Sequence, residues 1–99
     1  MKLEKIKYKN KTIKVFFKKI DEYGYYETKK NILVIREGLS DQFLARTLFH
    51  ELFHIITTLN KFPVASHGEE KVAQLSEEYY YILKNNNTLR KFLFKCFQT

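Results

Sequence analysis

The sequence is poor in cysteine and holds no long apolar run. Its one cysteine, Cys96, excludes a disulfide framework within the chain and a zinc site built from cysteines. No stretch reaches the roughly 18 apolar residues that a membrane-spanning helix needs. The first residues carry lysines without the apolar core of a signal peptide, which predicts a cytoplasmic protein with no membrane partner.

What the chain does contain is typical of a folded domain. Its 99 residues are 44% hydrophobic and 16% aromatic, well above the level of a disordered chain. Nine Phe and seven Tyr offer a large buried area for a small core. We therefore expect a single domain over residues 1–99.

Positive charge is concentrated in the first third of the chain. Residues 1–30 hold ten Lys against four acidic residues, a balance of +6, whereas residues 31–99 add only +1 to the net charge of +7. Such a segment is a possible nucleic-acid-binding surface. The lysines alternate with apolar residues such as Ile6 and Val15, which favours a solvated sheet face instead. Nucleic acid is thus a disfavoured partner, although the positive charge of the first third does not exclude it.

Alternating apolar and polar residues predict strands in this first part of the chain. Four strands are expected, at residues 3–9, 12–19, 25–28 and 32–36. The turn signal Asp21–Gly24 separates the second from the third. The segment Ile32–Arg36 gives the strongest prediction, because its branched apolar residues fit a well-buried strand.

Helical spacing of apolar residues follows. The first helix is expected to begin after the N-cap residue Ser40 and to reach about Asn60. Two more are expected at about residues 67–84 and 89–97, separated by Asn85–Asn87. Strands followed by helices indicate an α+β fold, with a small antiparallel sheet of three to four strands packed on helices.

The first helix carries the motif His-Glu-x-x-His. His50 and His54 lie one turn apart on one helical face, so their rings can converge on one Zn²⁺. Glu51 is rotated by about 100° from His50 and is placed to act as a general base on water activated by the metal. The alternative is a pair of hydrogen-bonded core histidines beside a surface glutamate. That alternative is disfavoured because charged groups in the middle of an apolar helix are costly unless they are satisfied.

A catalytic zinc site needs a third protein ligand. The candidates are His67, Glu69 and Glu70, all at the start of the second helix. Helical periodicity favours Glu69, because it shares a face with Val72 and Tyr79 on the core side. Glu70 is the alternative, and His67 stays open.

The chain resembles small phage- and prophage-associated metallopeptidases of the minimal gluzincin type and, more distantly, ImmA/IrrE-like metallopeptidases. The resemblance lies in two stretches, YYETKKNILVIREGLSDQFLARTLFHELFHII and HGEEKVAQLSEEYYYILKNNNTLRKFL. The metzincin pattern is excluded, because Thr57 and Asn60 stand where it requires Gly and His or Asp.

The resemblance implies a zinc-dependent peptidase acting on a protein or peptide. Carried over, the zinc ligands become His50, His54 and Glu69, and the base becomes Glu51. The break before the last helix usually reads Asp-Asn-Pro in that family, whereas this chain has Asn85–Asn87. This difference at Asn85–Asn87 concerns how the second helix ends and does not affect the predicted metal ligands.

The resemblance also implies that an exposed strand beside the active helix binds substrate by strand addition. Ile32–Arg36 is the candidate for this role, and an ordinary internal strand is an equally good interpretation. An oxyanion-stabilising residue is needed as well. The tyrosines available for it are Tyr25, Tyr26, Tyr79, Tyr80 and Tyr81. The sequence does not select among them.

Three functions therefore compete. The first is a zinc peptidase, and the second is a zinc-bound interaction or regulatory protein of a mobile element without turnover. The presence of Glu51 argues against the second, because a purely structural site has no use for a base at that position. The third is a basic nucleic-acid-binding module, which no recognised motif supports.

Overall fold

The computed structural model describes residues 2–61 and 69–98, the side chains of residues 69–73 excepted. Four strands precede three helices along the chain. The strands are β1 (Lys5–Tyr8), β2 (Lys11–Lys18), β3 (Gly24–Glu27) and β4 (Ile32–Arg36), and the helices are α1 (Asp41–Asn60), α2 (Glu69–Lys84) and α3 (Asn87–Cys96). The α+β class expected from the sequence is confirmed.

The four strands form one mixed sheet in the order β1-β2-β4-β3. The β1–β2 and β3–β4 pairs are antiparallel, whereas β2 and β4 run parallel. The sequence had suggested an antiparallel sheet, and this part of the prediction was wrong because β2 and β4 are parallel. After β2 the chain passes to the far edge to form β3 and turns back, so β4 enters the middle of the sheet beside β2.

This order makes β4 an internal strand. It is hydrogen-bonded to β2 on one side and to β3 on the other. The prediction that Ile32–Arg36 is an exposed strand able to accept a peptide was therefore wrong, and the ordinary internal strand is the correct interpretation. The edge strand that contacts α1 is β3.

The core lies between one face of the sheet and the helices. Alternation in β1 and β2 buries Ile6 and Ile13 completely, and the three- and four-residue spacing in α1 buries Leu48, Leu52 and Ile55 against them. The α3 residues of this core are Leu89, Leu93 and Cys96, whose thiol is buried. Within the described residues, no helix is long and apolar enough to cross a membrane.

The ends of α1 follow from local chemistry. The backbone N–H of Phe43 donates to the Ser40 hydroxyl at 3.4 Å, so the predicted N-cap is confirmed. At the other end Lys61 takes a left-handed conformation with φ of 55°, and its N–H donates to the carbonyls of Thr57 and Thr58. The HExxH residues therefore lie in the middle of a helix closed at both ends.

Asn86, between α2 and α3, joins the helices to the edge of the sheet. Its Oδ1 accepts from the backbone N–H of Lys7 at 2.7 Å, and its Nδ2 donates to the carbonyls of Lys7 at 2.7 Å and Ile82 at 2.6 Å. The side chain is buried. It thus satisfies backbone groups of β1 and α2 that the protein interior would otherwise leave without partners.

Replacing Asn86 by alanine is expected to lower the free energy of unfolding by about 2–3 kcal/mol, because buried backbone groups lose their partners. Urea unfolding followed by circular dichroism measures this. The matched control is Asn85→Ala, an exposed neighbour of the same type. Equal losses in the two variants would show that the Asn86 amide has no special role.

Candidate metal centre

His50 and His54 come together on the exposed side of α1. Their Nε2 atoms lie 3.0 Å apart, and the rings meet edge to face with centroids 4.6 Å apart. At this distance the Nε2–H of one ring can donate to the Nε2 lone pair of the other. The two histidines predicted to share a metal therefore bring the same ring nitrogen to one place.

This pair fits a divalent metal ion. Two nitrogens that each lie about 2.0–2.1 Å from a tetrahedral Zn²⁺ are about 3.3 Å from one another. The observed 3.0 Å is within a few tenths of an ångström of that separation. Both histidines are exposed to solvent.

Glu51 follows His50 directly but points into the protein. Its side chain is only 4% exposed. Burial raises the pKa of its carboxyl group, and the charge of Glu22 adds to the rise, whereas His54 and His50 act in the opposite direction and lower it. A carboxylate with a raised pKa beside two histidines is a better proton acceptor than a surface glutamate.

A cavity of about 460 Å³ opens beside these residues, between α1 and the start of β3. Its lining combines the site with two aromatic rings and a guanidinium group. The lining residues are Tyr23, Gly24, Phe43, Arg46, Thr47, His50 and Glu51. Glu51, the predicted general base, and His50, a predicted ligand, thus line the same open space.

Gly24 permits the close approach of α1 to the edge strand. A Cβ atom at this position would lie 2.9 Å from the carbonyl oxygen of Val34 and 3.1 Å from Cγ2 of Thr47. Thr47 is one helical turn before Glu51. The absence of a side chain at Gly24 therefore brings the backbone of β3 next to the helix that carries the site.

One wall of the cavity is a stack of two aromatic side chains. The rings of Tyr23 and Phe43 lie parallel with centroids 5.7 Å apart. The guanidinium of Arg46, which also lines the cavity, lies 5.9 Å from the centroid of the Phe43 ring. The guanidinium of Arg36, outside the lining, lies 5.9 Å from the centroid of Tyr23. This wall was not predicted from the sequence, because Tyr23 lies in the β2–β3 connection whereas Phe43 and Arg46 lie in α1.

The candidates for the third ligand lie outside the described side chains. Glu69 and Glu70 form the first turn of α2, but their side chains are not described, and His67 is outside the described residues altogether. Among the side chains that are described, no group of three or more His, Cys, Asp or Glu residues is arranged to hold a metal. Glu77 is engaged elsewhere, since it accepts a hydrogen bond from Tyr81.

Three of the five tyrosines considered as oxyanion stabilisers, Tyr26, Tyr79 and Tyr81, donate their hydroxyl groups to other partners. The hydroxyl of Tyr79 donates to the backbone carbonyl of Phe49 at 3.0 Å, and burial raises the pKa of Tyr79 to about 12. Tyr26 donates to Asn31. Among the described residues, the tyrosine that lines the cavity is Tyr23, which was not among the candidates.

Comparison with known proteins gives no relative for this chain. No protein-family model, no curated protein and no solved structure matches it. The resemblance to minimal gluzincin-type metallopeptidases therefore stays a prediction.

Proposed function

We propose that this protein is a zinc-dependent metallopeptidase. The observation that supports this most directly is the 3.0 Å separation of the Nε2 atoms of His50 and His54, next to the buried carboxylate of Glu51. Ligand nitrogens and a sequestered base on one helix are what hydrolysis by activated water requires.

In this proposal His50 and His54 hold the ion together with a side chain from the start of α2, for which Glu69 is preferred over Glu70 and His67. When bound, the ion supplies a Lewis acid that makes water a stronger acid and polarises the carbonyl to be attacked. Glu51 accepts the proton of the attacking water and delivers it to the amine that leaves, so its raised pKa suits both steps.

The edge strand β3 is the proposed binding place for an extended peptide. It lies at the free edge of the sheet beside α1, and its first residue, Gly24, lines the same cavity as Glu51. A peptide added to this edge would place its backbone next to the base and would be held mainly by main-chain hydrogen bonds. The substrate class is therefore a protein or peptide, and we propose a cytoplasmic setting.

Metal analysis of the wild-type protein tests this proposal first. Protein purified without a histidine tag is expected to contain about one zinc ion per chain, or one Mn²⁺, Fe²⁺ or Co²⁺ where those ions are supplied instead. A content below about a tenth of an equivalent after incubation with each of these ions would end the metallopeptidase proposal.

A further inference from the structure

The outer face of the sheet, opposite the core, carries lysines on its two first strands. Residues that alternate with the buried Ile6 and Ile13 point to this face. The register places Lys5 beside Lys14 and Lys18 beside Arg36. All the cations of this face are exposed, and they are Lys5, Lys7, Lys14, Lys18 and Arg36. Among the described strand residues of this face the one carboxylate is that of Glu27, so these strand positions are strongly positive.

Aromatic rings lie among these charges. Phe16 on β2 and Tyr25 on the edge strand β3 flank Val34 of β4 in one row across three strands. Val34 is fully buried, whereas Phe16 is 39% and Tyr25 36% exposed. The two residues stand two strand spacings apart, about 10 Å. The row therefore has an apolar floor with a partly exposed ring at each end.

Cations border this row of rings. The Nζ atom of Lys18 lies 5.3 Å from the centroid of the Phe16 ring. Lys14 and Lys18 are the neighbours of Phe16 on the same face of β2, one on each side. A face that serves only to keep the sheet in water gains nothing from two partly exposed rings, because exposing aromatic surface costs free energy.

We propose that this outer sheet face binds single-stranded nucleic acid. Each ring offers a platform on which an unpaired base can stack, and the lysines around it neutralise the phosphates on either side. Four-stranded sheets with exposed aromatic residues bind two or three bases in this way. A duplex keeps its bases stacked within itself and cannot use the rings.

This inference does not depend on the metal site. His50 and Glu51 belong to α1, which packs on the opposite face of the sheet. Loss of zinc and loss of nucleic-acid binding can therefore be measured separately. The sequence had favoured a merely solvated face because it showed the lysine alternation but not the row that joins Phe16, Val34 and Tyr25 across three strands.

Fluorescence anisotropy with labelled 12-nucleotide oligo(dT) and oligo(rU) tests the proposal. We expect binding that weakens by about 20-fold between 50 and 200 mM salt, the response of a single strand held at about three phosphates. A duplex of the same length should bind at least about tenfold more weakly, because it cannot use the stacking contribution of about 1–3 kcal/mol per base. Equal affinity for duplex and single strand would overturn the proposal.

Two sets of variants separate stacking from charge. Phe16→Ala and Tyr25→Ala should each weaken binding by about 5- to 100-fold, whereas Phe16→Tyr and Tyr25→Phe keep a ring and should retain it. The conservative pair also controls for folding. If the alanine variants bind as well as wild type, the rings are not stacking platforms. The same conclusion follows if the conservative variants lose as much affinity as the alanine variants while circular dichroism shows them folded.

The charge test uses two doubly substituted variants of equal net charge. Lys14→Glu with Lys18→Glu reverses charge beside Phe16 and should weaken binding by more than about 20-fold. Lys91→Glu with Lys95→Glu makes the same change on exposed residues of α3. This control should weaken binding by less than about 5-fold, a quarter of the fold-change expected for the first variant. Equal losses, or full competition by polyglutamate at the same charge concentration, would show general attraction to acidic polymers instead.

Discussion

Glu51→Gln is expected to retain zinc and to lower hydrolysis by about 10²- to 10⁴-fold, the usual contribution of a general base. Glutamine has almost the same size and can fill the same buried space, but it cannot accept the proton of the attacking water. The measurement is cleavage of a peptide mixture prepared from a digested proteome, read by mass spectrometry. Zinc is measured on the same samples.

The control for this variant is Glu77→Gln, the same chemical change at an exposed position of α2 whose side chain bonds to Tyr81. It should leave both zinc and cleavage near wild-type values. If Glu51→Gln cleaves peptides as fast as wild type, Glu51 is not the base. If neither wild type nor Glu51→Gln cleaves peptides although both bind zinc, a zinc-bound interaction protein without turnover becomes the better interpretation.

Loss of one histidine is expected to remove the metal altogether. His50→Ala and His54→Ala should each reduce the zinc content from about one ion per chain to below about 0.1, because two remaining ligands hold zinc too weakly to survive purification. The 3.0 Å approach of the two rings makes their contributions interdependent. Elemental analysis of dialysed protein measures the content, and circular dichroism confirms that the variants stay folded.

The same assay identifies the third ligand. Among Glu69→Gln, Glu70→Gln and His67→Ala, we expect Glu69→Gln alone to lose zinc as fully as the histidine variants. Glu70→Gln is its matched control, the same substitution one residue along α2. Loss with Glu70→Gln instead would exchange the two roles, and retention of zinc in all three variants would place the ligand elsewhere in the chain.

The parts of the fold that could be predicted are those that depend on neighbours in sequence. Period-two alternation located β1 and β2, and the hydroxyl of Ser40 located the start of α1. The order of strands was not predictable in this way. That β4 enters between β2 and β3 depends on pairing between distant segments, and a short apolar run has the same pattern in an internal and an edge strand.

In the candidate site, too, the features set by neighbours in sequence could be predicted and those set by distant segments could not. The spacing of His50 and His54 is local to one helix, so their convergence could be predicted from a helical turn. The cavity wall of Tyr23, Phe43 and Arg46 could not, because it combines two separate parts of the chain. One signal was available: a lone glycine at the start of a strand, Gly24, often marks a place where another segment comes close.

The amide of Asn86 has a consequence for how the sheet can grow. It forms with Lys7 the two hydrogen bonds that a further strand would form at this residue, so the β1 edge is already occupied there. Occupied edges protect a sheet from joining others and from aggregation. The other edge of the sheet is β3, so self-association through that edge would compete with the peptide that we propose to bind there.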